Sequence, residues 1–277
     1  MKTIIAPTDF SANSLNAVNY AADMANRLDA HLTLFHVYTI PTPAIATEVS
    51  IPSYDMEALA TTADADIQKL KETLLSRLND RVIIHTEIRP GYVINELTAY
   101  ADSVKPFAVV MGAETTSAFE RLLFGGKTIA AVKDLPWPLI IVPPTAKFTN
   151  IRKVGLACDF REVVDSVRVQ EIKELVKEFN AELHILHVSD KPQGTFSAET
   201  VEESGLLQEM LDDLHPQYDF LNAPEVEKGV ADFAEENKLD LLIIIPKRHS
   251  LFSKIFHHSH SKQLVLHTQV PVMSLHE

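Results

Sequence analysis

The chain has 277 residues, too many for one small domain and suited to one large or two modest ones. A hydrophobic fraction of 46% excludes global disorder, and a formal charge of −13 argues against a general nucleic-acid coat, which needs concentrated positive surface. The single cysteine, Cys158, excludes an internal disulfide framework and a four-Cys zinc site.

TIIAPTD (3–9) reads as a short strand closed by Pro7, after which Ser11 or Asn13 caps a helix carrying Leu15, Val18, Ala22 and Ala25. HLTLFHVY (31–38) is a second buried strand. Residues 57–78 form a long amphipathic helix with Leu70, Leu74 and Leu78 on one stripe. RVIIHTEIR (81–89) is a strand, VINELTAYAD (93–102) a helix after Gly91-Tyr92, and FAVVMG (107–112) a strand. A helix over 117–133 and the strand PLIIVP (138–143) follow. Beyond PPTAKFTN (143–150), where two prolines and polar residues interrupt the apolar pattern, the plan recurs. KVGLACD (153–159), ELHILHV (182–188), DLLIIIP (240–246) and VPVMSL (270–275) read as strands. Helices are expected over 162–178, near 198–214, over 224–237 and near 250–266.

The recurrence is visible residue by residue. MKTIIAPTDF (1–10) matches IRKVGLACDF (151–160), LDAHLTLFHVYTIP (28–41) matches FNAELHILHVSDKP (179–192), and LPWPLIIVPP (135–144) matches TQVPVMSLHE (268–277). Three matches in the same order describe a duplication, with copies over 1–145 and 150–277. Apolar strands alternating with helices imply parallel neighbours under right-handed crossovers, so each copy is expected to be an α/β, doubly wound, mostly parallel sheet of about five strands. Such sheets bind ligands beyond the carboxyl ends of their strands, at the switch point in strand order.

In the first copy three segments reach that edge. Pro7-Thr8-Asp9 ends the first strand, where a carboxylate can accept hydroxyl hydrogen bonds from a ribose or help hold a metal. Val37 ends the second strand, with main-chain groups able to pair with an adenine edge. Gly112 ends FAVVMG, and Gly125-Gly126-Lys127-Thr128 precede a helical stretch, where N–H groups can donate to phosphate oxygens. GGKT is not a Walker A loop: that motif needs a glycine five residues before Gly126, and Arg121 stands there.

APTDFS (6–11), LFHVY (34–38), MGAETTSAFERLLFGGKT (111–128) and PLIIVP together resemble the universal stress protein family, and LACDF and ILHV extend the likeness into the second copy. The resemblance implies a tandem member with an adenine nucleotide α-hydrolase-like, Rossmann-like fold and an ATP site, without a common catalytic reaction. Family members with one domain dimerise through their last strands, so PLIIVP and PVMSL are expected to pair within this chain as an internal pseudo-dimer, with further homodimerisation open. The family's phosphate pattern is Gly, two residues, Gly, nine residues, Gly, then Ser or Thr. Gly112 and Gly125 fit it, whereas Thr115 replaces the second glycine and Gly126 the hydroxyl, with Thr128 two residues on. By the same resemblance Asp9 is the ribose-side acid and Val37 the adenine-edge position.

The second copy departs further. Pro246 follows DLLIII where the pattern wants glycine, Lys247-Arg248-His249 follow, and His258 replaces Gly125, so its phosphate loop is read as degenerate. Ser259 and Ser261 fall near the hydroxyl position. His257 and His260 share a helical face in a cluster running from His249 to His267 and could ligate a metal, but without an HExxH spacing the cluster is read as a half-exposed polar helix start and no metal is expected there. His36 and His187 are expected to be hydrogen-bonded structural residues, and Cys158 a small buried hydrophobe.

The expected function is a stress-response regulator holding ATP or another adenine nucleotide, with Mg2+ on the phosphates, in its N-terminal copy, beside a C-terminal scaffold and an unidentified protein partner. No residue stands out as a general base, so slow ATP hydrolysis is the most enzymatic activity expected. The competing reading is a protein-interaction module that binds no nucleotide. MKTIIAPTDF is too short an apolar run for a signal peptide, and no stretch reaches the ~18 residues of a membrane span, so a cytoplasmic protein without membrane or nucleic-acid partners is expected.

Overall fold

The computed structural model describes residues 1–38, 56–113, 130–131, 135–189, 197–246 and 268–276. The first half contains β1 (Thr3–Pro7), α1 (Ala12–Leu28), β2 (His31–Tyr38), α2 (Met56–Leu78), β3 (Ile84–Pro90), α3 (Val93–Val104), β4 (Ala108–Gly112) and β5 (Leu139–Val142). The second contains β6 (Lys153–Ala157), α4 (Val163–Ser166), α5 (Val169–Phe179), β7 (Glu182–Ser189), α6 (Ala198–Leu211), β8 (Gln217–Asn222), α7 (Val226–Glu236), β9 (Leu241–Ile244) and β10 (Val272–Ser274). The expected helices over 117–133 and near 250–266 lie outside the described residues, apart from helical residues 130–131.

Local chemistry sets the element ends. Ser11 caps α1 by accepting from the Ser14 amide, and Asp29 ends it with a left-handed backbone at φ 50°. On α2, Ala63, Ile67, Leu74 and Leu78 are buried and Leu70 packs half-buried beside them, as the leucine stripe predicts.

The strands form one ten-stranded sheet in the order β3-β2-β1-β4-β5-β10-β9-β6-β7-β8. Every pairing is parallel except β5 with β10, where Ile141, Ile140 and Leu139 oppose Val272, Met273 and Ser274. The two five-stranded parallel arrays therefore join edge to edge through the strands expected to pair. One face packs Ile4, Ala6, Leu32 and Leu34 under α1 and α2, with the matching residues of the second half under α5 and α6. The other buries Ile5, Phe35, Val109 and Leu97 on the α3 side.

The segment between the halves is docked onto α1. Asn16 donates from Nδ2 to the carbonyl oxygens of Pro143 (3.1 Å) and Ala146 (3.0 Å). Phe148 stands edge-on to Tyr20 at 5.2 Å and 6.2 Å from Phe179 of α5. Lys2 pairs with Glu178 at 2.6 Å. Burial pushes the Tyr20 hydroxyl upward from its ordinary pKa, and the Asp240 carboxylate adds to the shift.

Three sequence expectations change. The strand β8 was not anticipated: none of its residues is fully buried, and polar residues interrupt Tyr218, Phe220 and Leu221, so it carries no continuous apolar run. The helix expected over 162–178 is two helices, interrupted at Val167, which is extended at φ −82° and ψ 122°. Finally, the register corrects the counterpart of Gly112. Ile4 pairs with Ala108 and Val154 with Leu241, so four residues on Gly112 corresponds to Ile245 and not to Pro246. The broken helix and the changed residue occur in the same half. In the first half the start of α1 lies against Gly112; an isoleucine side chain there needs the same space. Ile245 packs half-buried against the core, and the chain above it opens with Glu162 in a left-handed conformation and a four-residue helix.

Candidate functional site

The switch point of the first half lies at β1, which has β2 on one side and β4 on the other. The last β1–β2 pair is Pro7 with Phe35, followed by a 2.8 Å bond from the Thr8 amide to the Phe35 carbonyl oxygen. The chain then leaves the sheet through Phe10, at φ 61°. The Thr8 hydroxyl is committed to this turn: Oγ1 accepts from the Phe10 amide (3.0 Å) and lies 3.1 Å from Ser14 Oγ. Asp9 is exposed, and its Oδ1 accepts from the Ser11 amide at 3.1 Å. Pro7 is buried.

Successive residues of a strand direct their main-chain groups to opposite neighbours. The Phe35 carbonyl faces β1, while the Tyr38 carbonyl faces β3 and accepts from Gly91 N at 3.1 Å. Val37 shares the orientation of Phe35, so its N–H and C=O point to the β1 side, beyond the last residue that β1 pairs. Among the described residues no main-chain bond takes that donor–acceptor pair, which lies opposite the turn that carries Asp9. His36 supports the wall by donating from Nδ1 to the Thr8 carbonyl oxygen at 2.7 Å. His187 does the same for Cys158 at 3.0 Å in the second half, so both histidines are structural as expected. Cys158 differs from expectation: it is half-buried, and Sγ accepts from the Phe160 amide, the task of Thr8 Oγ1 in the first half.

Across β1, Gly112 closes β4, paired with Val142. A Cβ there would lie 2.5 Å from the Asn13 carbonyl oxygen and 2.8 Å from its carbonyl carbon. Packing against α1 is sufficient to demand glycine. Thr115, Gly125, Gly126, Lys127 and Thr128 lie outside the described residues, as do Lys247, Arg248, His249, His257, His258, Ser259, His260, Ser261 and His267. Among the described residues no group of three or more His, Cys, Asp or Glu side chains can hold a metal.

Sequence reading passed over Arg89, the cross-strand partner of Val37. Its Nε donates to Glu87 at 2.9 Å, its Nη1 lies 3.7 Å from Glu96, and its guanidinium sits 5.1 Å above the Tyr100 ring. The signal was present in the alternation of His85, Glu87 and Arg89, which puts three polar side chains on one face of β3. Gly91 follows at φ 137°, a conformation that suits glycine alone, and turns the chain into α3.

In the second half Asp159 accepts from the Arg161 amide at 3.2 Å, the same turn as at Asp9. The Val163 amide at the start of α4 is taken by Glu203 Oε2 at 2.8 Å. A carboxylate thus stands at that helix start, and Ile245 stands where the first half has Gly112.

A parallel sheet whose strand order reverses at β1, with a carboxylate at the strand end, is the switch-point arrangement of a doubly wound α/β fold. Residues 1–143 match the universal stress protein family, and the chain belongs to that family. It is 29% identical over 151 residues to the universal stress protein MJ0531 of Methanocaldococcus jannaschii, a match spanning 53% of this chain and 84% of that protein. A crystal structure of a universal stress protein from Archaeoglobus fulgidus superposes with a TM-score of 0.72 at 18% identity, covering 99% of this chain and 96% of that one. A putative universal stress protein from Pseudomonas aeruginosa gives 0.63 at 12%, covering 100% and 93%. These likenesses show the fold through both halves. No helix among the described residues is long and apolar enough to cross a membrane.

Proposed function

We propose that the protein is a cytoplasmic stress-response regulator that binds an adenine nucleotide, ATP in the first instance, in the N-terminal crevice. Residues 1–145 form the binding copy, and residues 150–277 a partner copy with a degenerate phosphate loop. The observation that carries this reading is the Val37 main-chain edge left beyond the end of β1 pairing. Its N–H and C=O match the acceptor and amino donor on one edge of adenine. Asp9, exposed at the turn between Val37 and Gly112, accepts the ribose hydroxyls. The phosphates, with Mg2+, extend past Gly112 toward Gly125, Lys127 and Thr128.

A second reading, a protein-interaction module, gains from Gly112. Because packing against Asn13 explains that glycine, it no longer counts as a phosphate signal. Calorimetric titration of the full chain with ATP and AMP, in wild type and Asp9→Ala, separates the two. One ATP per chain, with affinity at least tenfold weaker in a folded Asp9→Ala variant, supports the nucleotide reading. A folded wild-type protein that takes up neither nucleotide replaces it with the interaction module.

A further inference from the structure

We propose that His31 and His85 form a two-histidine site for a divalent transition metal of the zinc, copper or nickel type. His31 is the first residue of β2 and His85 the second of β3; Thr33 pairs with His85, so His31 lies diagonally from it, two residues earlier on the same sheet face. His85 Nε2 is 3.4 Å from His31 Nδ1, with the ring centroids 5.3 Å apart and the planes at 50°. Two nitrogens bound to one zinc at about 2.0–2.1 Å in tetrahedral geometry are about 3.3–3.4 Å apart, so the pair already has chelating separation. An N–H···N bond between neutral rings is long at this distance, against a usual range of about 2.7–3.2 Å for N–H donors.

The ligand chemistry selects the metal class. Imidazole nitrogens suit zinc, copper and nickel, whereas calcium and magnesium need oxygen ligands that this pair does not provide. Among the described residues no third His, Cys, Asp or Glu completes a set, so water fills the remaining positions, reached through the exposed His85. When Nδ1 of His31 binds metal, its proton resides on Nε2, which is buried without a partner. That cost holds the affinity below that of a complete zinc centre. The pair sits at the opposite end of β2 from Val37, about 20 Å away at ~3.3 Å per residue, so metal and nucleotide sites are independent.

Full-length protein is titrated with Zn2+ and Ni2+ by calorimetry, comparing wild type, His85→Gln, and a His257→Gln/His260→Gln double variant as a control for the C-terminal histidine cluster. Ring-proton NMR of the histidines locates the metal. Loss of one equivalent, or at least tenfold weaker binding at it, in His85→Gln alone supports the proposal, provided zinc shifts the His31 and His85 resonances in wild type. Superimposable titrations of wild type and His85→Gln overturn it, as does zinc that leaves both resonances in place. His85 is exposed, so the variant is expected to keep its fold, which circular dichroism verifies.

Discussion

Gly112 and Asn13 meet backbone to backbone, with no room for a methyl group between them. This contact sets where α1 begins and thereby where Asp9 is held. Gly112→Ala is expected to cost about 1–3 kcal/mol as an overpacking substitution, and Gly112→Val more, measured by urea denaturation. Loss of nucleotide by either variant therefore says nothing about phosphate contact. A Gly112→Ala variant as stable as wild type would mean that α1 shifts freely away from β4.

Phe148 is the coupling residue of the inter-half segment, placed between Tyr20 and Phe179. Phe148→Ala is expected to destabilise by about 2–3 kcal/mol. It should also split a single denaturation transition into two, because α1 and α5 lose their shared aromatic contact. Intrinsic fluorescence reads the first half through Trp137, and circular dichroism reads the whole chain. Coincident transitions in the variant would show that the β5–β10 pairing suffices to couple the halves.

Tyr218 is expected to govern part of the alkaline limit. Burial, with Cys158 adding, pushes its hydroxyl from 10.0 up to about 12, so the folded state favours the neutral phenol. Its contribution is complete below pH 10 and is lost as pH rises through about 12. Tyr218→Phe should flatten the fall in melting temperature over that window, leaving the part due to Tyr20. At neutral pH the variant should be as stable as wild type or more so, since the hydroxyl is buried without a partner.

Asp213 behaves in the opposite sense. Hydrogen bonds from Lys173 and Lys177 hold its carboxyl at about 2, below the ordinary 3.8. The resulting stabilisation is present above pH 3.8 and disappears as pH falls through about 2. The melting difference between wild type and Asp213→Asn should be flat near neutrality and vanish at the acid end. Because Asp213 and Lys177 are exposed, 1 M salt should shrink the difference at every pH.

Much of this architecture was legible in the sequence. The apolar runs at 3–7, 31–38, 108–112 and 139–142 are strands because both sheet faces are covered, and such strands need no alternation. The matched His36 and His187 were legible as structural, since both follow the same apolar run. β8 was not legible, because an edge strand with Tyr218 and Phe220 among polar neighbours gives a weak signal. The interruption at Val167 was hidden for another reason: the run 162–178 keeps its apolar spacing through Val167, so a single extended residue leaves no mark in the pattern. At the candidate site, the positions of Asp9 and Val37 at strand ends were readable from the apolar runs that precede them. The alternation placed Arg89 on a polar face of β3, but its pairing with Val37 was not readable, because the β2–β3 register alone fixes it.

The antiparallel seam between β5 and β10 has a consequence for how the two crevices change over time. In a symmetric assembly of identical chains, every substitution strikes both sites at once. Here the seam is closed within a single polypeptide, so one crevice can keep Gly112 while the other takes Ile245 and Glu203. Division of labour between paired sites then needs no second gene.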